Sequence, residues 1–155
     1  MSRRPRLASA FAAPEDSTGL LLWQVTNRWQ AAQRAALKPF GLTHVQFVLA
    51  AGLTWLGADG PVTQRQLAEH AGTDPAMTSQ VAHTLEERGL LVRSTHPSDA
   101  RALALSITDQ GSALVNRAIV AVEACDRTFF ADLGRSQAAF TSALRTLALP
   151  RSTRA

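Results

Sequence analysis

The stretch TQRQLAEHAGTDPAMTSQVAHTLEERGLL (Thr63–Leu91), continued by VRSTHPSDARALALSIT (Val92–Thr108), decides the fold of this 155-residue chain. Thr63 with Gln66 three residues on is a capping-box pattern: each side chain satisfies a backbone N–H that the first helical turn leaves unpaired. The short helix it opens buries Leu67, Ala68 and Ala71, and Gly72 stops it. Asp74 caps the next helix, with Pro75 at the first position, where a missing N–H costs nothing. Met77 or Thr78, with Val81, Ala82 and Leu85, face inward, and Gly89 ends the helix. Leu90–Thr95 and Arg101–Ile107 read as strands, the second with Leu103, Leu105 and Ile107 alternating with small residues. His96–Ala100 forms the hairpin tip. Two helices at a tight turn followed by a hairpin make a winged helix-turn-helix, an architecture that presents its second helix to duplex DNA.

Outside this stretch the chain is helical. Ser17 starts a long helix with Leu22, Val25, Trp29, Ala32 and Ala36 on one face, widened by Leu21 and Trp23. Pro39 and Gly41 end it. Thr43 and Gln46 repeat the capping box, and a second helix runs through Val45, Phe47, Val48, Ala51, Trp55 and Leu56. After Thr108 a long helix carries Leu114, Ala118, Val122, Cys125 and Phe129. A last helix after Ser136 carries Phe140, Leu144 and Leu147. The expected fold class is mainly α with a small β-hairpin wing. Residues 1–16 form a flexible basic arm, 17–149 a single winged-helix domain, and 150–155 a basic tail.

Composition narrows the function classes. Hydrophobic residues make up 46% of the chain, which excludes a disordered protein. The longest apolar run, Phe47–Leu56, is too short to span a bilayer. No signal peptide is expected after Arg3, Arg4 and Arg6. The single cysteine, Cys125, excludes an internal disulfide framework and any CxxC metal site. Both points fit a reducing cytoplasm. His44, His70, His83 and His96 show no metal spacing, and no G-x-S-x-G, P-loop or GxGxxG is present, so an enzyme is not expected. The net charge of +4 looks like support for nucleic-acid binding, yet residues 61–108 hold four arginines (Arg65, Arg88, Arg93, Arg101) against five acids (Glu69, Asp74, Glu86, Glu87, Asp99). DNA binding therefore rests on placement rather than on overall charge.

With Val81 and Leu85 inward, the second helix of the motif turns Ala76, Ser79, Gln80 and His83 outward, and Thr78 joins them as a candidate contact. Gln80 has the two-pronged amide that pairs with adenine; Ala76 suits a thymine methyl. The helix N-terminus suits a phosphate. At the hairpin tip Asp99 and Arg101, two residues apart, share a strand face. The carboxylate is expected to orient the guanidinium for a minor groove. Arg93, His96, Gln64 and Arg65 are candidate backbone contacts.

The ordered set of motifs resembles the multiple-antibiotic-resistance regulator (MarR) family. It comprises Leu42, Thr43, Gln46 and Phe47 at the second helix; Thr63, Leu67 and Ala68; LEERGLLVR; the wing D-x-R; and Leu105–Thr108 followed by Gly111. The resemblance spans residues 17–148. It implies a homodimer with intertwined first, fifth and sixth helices (about 17–38 and 109–148). It also implies two DNA-binding lobes (about 43–108) reading a pseudo-palindromic operator, and repression relieved by a small ligand or oxidant. The terminal helices agree, since Leu21, Val122, Phe129, Phe140 and Leu144 call for a partner surface. The chain departs from oxidant-sensing members: it has no tyrosine, and Cys125 lies in the fifth-helix stripe. Ala100 also stands where the family wing often has an arginine. A pocket between dimer helices and lobe implies a small aromatic ligand, lined by Trp23, Thr26, His44 and Phe47. No cofactor is expected. The alternative is a winged helix that binds protein and not specific DNA.

Overall fold

The computed structural model describes residues 7–149. The arm arginines Arg3, Arg4 and Arg6 and the tail after Leu149 lie outside the described residues. Among the described residues six α-helices and three strands follow one another: α1 Thr18–Leu37, α2 His44–Leu56, β1 Val62–Thr63, α3 Gln64–Ala71, α4 Pro75–Glu87, β2 Leu91–His96, β3 Asp99–Ile107, α5 Asp109–Phe129 and α6 Gln137–Ala148.

The caps form as the sequence dictates. Leu20 N–H donates to Ser17 Oγ at 3.2 Å. Thr43 and Gln46 close a reciprocal capping box, as do Thr63 and Gln66. Asp74 Oδ1 accepts from Met77 N–H at 2.9 Å. Gly72, at φ +67°, takes the left-handed conformation that ends α3 without a Cβ penalty.

The three strands are antiparallel in the order β1-β3-β2. Leu91 pairs with Ile107 and Arg93 with Leu105, while Leu105 also pairs with Val62 on the other side. The hairpin is tighter than the turn-rich sequence predicts. β2 extends to His96 and β3 begins at Asp99, leaving Pro97 and Ser98 at the tip. β1 has only two residues, too few for alternation to reveal it.

The lobe closes on one core. Leu49, Leu53, Leu67, Leu85, Leu91 and Leu105 are fully buried, each worth roughly 1.5–3 kcal/mol. α5 is fixed to the lobe at Thr108. Its N–H donates to the Leu90 carbonyl at 3.1 Å. Its hydroxyl donates to the Gly89 carbonyl at 2.7 Å and accepts from Gly111 N–H at 3.0 Å. Gly111 is buried because the backbone passes so closely: a Cβ there would collide with the Leu90 carbonyl oxygen.

The terminal helices depart from the expected stripes. On α1 only Gln33 and Leu37 are buried, whereas Leu20, Leu21, Leu22, Trp23 and Val25 are exposed. α6 buries nothing. Val122, expected to need a partner, is already buried in the chain's own core cluster. α1 and α5 pack together, using the C-terminal half of α1 and leaving its N-terminal half bare. Among the described residues, no single helix is long and apolar enough to cross a membrane.

Candidate nucleic-acid interface

Helical geometry sorts the residues of α4. Thr78, Ala82 and Leu85 are buried and define the inward side. Successive residues turn by 100°, so Ala76, Gln80 and His83 fall on the opposite side, and all three are exposed. Ser79 is half-buried at the edge of this line.

Thr78 does not belong to the interface. It is fully buried, and its hydroxyl bonds the Asp74 carbonyl at 2.8 Å and the Thr73 hydroxyl at 2.7 Å. A short polar side chain at the start of a helix satisfies itself locally and can then be packed inside. Its neighbour Met77, paired with it as an inward alternative, is 44% exposed instead. The N-terminus of α4 is also less open to an anion than the sequence suggests. Pro75 offers no N–H, and the Asp74 carboxylate occupies the Met77 N–H.

Gln64 starts α3 half-buried, with a buried side-chain oxygen that has no partner among the described residues. Arg65 is exposed and pairs with Glu69 at 3.0 Å, an i,i+4 pair that solvent weakens. His83 lies 3.4 Å from Glu87 and 4.0 Å from Glu86. Arg93, expected at a phosphate, is turned inward. Its side chain is 18% exposed, its Nη2 donates to the Ser79 carbonyl at 3.2 Å, and its Nε lies 3.3 Å from Glu86 Oε2.

At the tip, His96 Nδ1 accepts from Ser98 N–H at 3.2 Å. Asp99 Oδ1 accepts from the backbone N–H of Arg101 at 3.0 Å. The carboxylate thus fixes the turn rather than the guanidinium, because the backbone donor is nearer than the end of a long side chain. Arg101 is exposed and forms no ion pair among those of the described residues.

The residues expected to line a ligand pocket differ in exposure. Phe47 is in the core and Trp23 is 68% exposed on α1; Thr26 and His44 are half-buried. A polar cluster that the sequence did not reveal joins His44 instead. Trp29 and Gln33 of α1 both donate to Asp126 Oδ1 of α5 at 2.7 Å. The Trp29 ring meets His44 edge-on at 4.9 Å. Gln33 is fully buried, and its side-chain oxygen has no partner among the described residues. Burial pushes the His44 imidazole below its ordinary value of 6.5; Asp126 opposes this and Arg34 adds to it. Burial, then the Asp126 charge, pushes the Cys125 thiol up, away from the reactive thiolate.

Comparison with known proteins fits this geometry. The MarR family model matches residues 42–103. YdcH of Bacillus subtilis strain 168, an uncharacterized HTH-type transcriptional regulator, is 44% identical over 124 residues, covering 79% of this chain and 84% of YdcH. CouR from Rhodococcus jostii RHA1, solved with p-coumaroyl-CoA, is 30% identical with a TM-score of 0.80, over 90% of this chain and 97% of CouR. The repressor CouR bound to a 23-mer DNA duplex matches with 29% identity and a TM-score of 0.78, over 87% and 94% of the two chains. A mostly helical chain with a three-stranded antiparallel wing, matched in sequence and in fold, belongs to the MarR family of transcriptional regulators.

Proposed function

We propose that this chain is a homodimeric, sequence-specific repressor that binds a pseudo-palindromic operator and is released by a small aromatic ligand in the cytoplasm. The observation that carries the DNA reading is the exposed line Ala76, Gln80, His83 on α4, with the exposed Arg101 at the wing tip. The line offers one two-pronged amide, one methyl and one imidazole to base edges. The wing offers a cation to the narrow, negative minor groove. Dimerisation is supported by the bare apolar faces of α1 and α6, which need an obligate-sized interface to cover them.

The ligand reading is supported by the cluster at the α1–α2–α5 junction. Gln33 holds a buried acceptor without a donor, which a ligand hydroxyl or N–H satisfies. Trp29 supplies an aromatic edge and His44 a titratable ring. CouR, of the same fold, is known bound both to an aromatic acyl-CoA and to DNA.

The test is a fluorescence-anisotropy titration at about 0.15 M salt. The probe is promoter DNA from upstream of the chain's own gene, and scrambled duplex is the competitor. Binding that resists the scrambled competitor is the expected result. The lobe's one-charge acidic excess favours a second reading, a winged helix that binds protein. That reading predicts no preference for any sequence, including duplexes selected from a random library.

A further inference from the structure

Of the lobe's four arginines, Arg93 alone is withdrawn from solvent, its side chain 18% exposed against 88% for Arg65. The strand explains why. Side chains two apart share a sheet face, and Arg93 lies two residues after the buried Leu91, so it points towards the helices. There its two ends take different partners on α4: the carbonyl of Ser79, in the middle of the helix, and the carboxylate of Glu86, nearly two turns on. Glu86 also faces His83, on the outward line. The guanidinium of β2 therefore meets α4 by one hydrogen bond, to the Ser79 carbonyl, and by one ion-pair contact, to Glu86, in which its buried Nε makes no hydrogen bond among the described residues.

From this geometry we infer that Arg93 and Glu86 form a strut that sets the angle between α4 and the wing, making Arg93 a specificity-determining positioning residue that does not touch DNA. The inference rests on α4 and the wing being the DNA-binding surface. Base edges are read only where α4 and the Arg101 tip enter adjacent grooves together, so their relative angle decides which sequences fit. A guanidinium suits the task because its planar head donates to a carbonyl on one side while its permanent, spread charge faces a carboxylate on the other, which a compact ammonium cannot do.

The strut is tested with Arg93→Met, Arg93→Lys, Glu86→Gln and the double variant Arg93→Met/Glu86→Gln. Each is titrated against a duplex that the wild type selects from a random library and against scrambled DNA. The two single neutralisations change the charge of the lobe in opposite senses. A strut lowers the selected-to-scrambled affinity ratio by about tenfold in both, with the double variant falling no further than the worse single one. Arg93→Lys keeps the scrambled affinity without restoring the ratio. The salt dependence of binding stays that of the wild type.

A phosphate contact gives a different result, and that result overturns the strut. Arg93→Met then weakens both duplexes equally and flattens the salt slope by about one per site, Arg93→Lys rescues, and Glu86→Gln strengthens binding. An unchanged ratio in all variants overturns it as well. Thermal unfolding identifies any variant that fails to fold; Arg93→Lys and Glu86→Gln then carry the test. A wild type that selects no sequence overturns the DNA reading and the strut with it, whereas a selective wild type with indifferent variants removes the strut alone.

Discussion

Arg101 and His44 are the two residues whose environments yield the sharpest expectations. Arg101 is held by its backbone, through the Asp99 carboxylate, while its guanidinium forms no ion pair among the described residues. Arg101→Ala is therefore expected to weaken operator binding about tenfold or more and to reduce the salt slope by about one per half-site. Thermal stability should not change. Anisotropy at several salt concentrations beside a melting curve checks both, and an unchanged salt slope removes the wing from the groove. For His44, burial favours the neutral ring, so the unfolded chain binds more protons around and below pH 6.5. The resulting penalty grows as pH falls from 6.5 towards the lowered folded value and is absent well above 6.5. Melting temperature should fall over that acid window, and His44→Gln should flatten part of the fall. A variant with the wild-type acid profile assigns the loss to carboxylates instead.

Among the elements, the junction of wing and α5 is the most constrained. Gly111→Ala places a methyl against the Leu90 carbonyl and the Ile107 side chain. The backbone cannot yield there without breaking the Thr108 bonds, so a loss of about 2–3 kcal/mol is expected. Denaturant unfolding measures it, and a wild-type midpoint contradicts the close approach. Local signals in the chain made such joints readable: the cap at Ser17, the boxes at Thr43 and Thr63, and Asp74-Pro75 each form within four residues, so spacing alone shows them. Thr78 was readable only in part: spacing allowed either it or Met77 inside, and its hydroxyl, satisfied one turn back, is what lets the threonine rather than the methionine be buried. Arg93 was readable through its two-residue offset from Leu91, but its charge argued for the surface. The Trp29–Gln33–Asp126 cluster was not readable, because its partners lie 97 and 93 positions apart and only the packed helices bring them together.

At the scale of the molecule, the bare N-terminal half of α1 and the unburied α6 dominate. Leu22→Glu on α1 and Leu144→Glu on α6 should each shift the protein towards monomer in sedimentation velocity, and melting should become strongly concentration-dependent. The DNA-binding lobe should keep its helical signal, since neither residue belongs to its core. A variant that remains fully dimeric moves the interface to another face.

α5 also has a length. Its 21 residues make a rod about 30 Å long at 1.5 Å per residue. It is clamped to the wing at Thr108 and carries Asp126 close to its other end. Val115, Ala118 and Val122 tie it to the core of the lobe along the way, so helix and lobe turn as one piece: a tilt of about 6° sweeps the far end through about 3 Å, close to the roughly 3.4 Å rise per base pair along the DNA axis. The same ratio runs backwards. A displacement of about 3 Å at Asp126 answers to a turn of about 6° at the lobe.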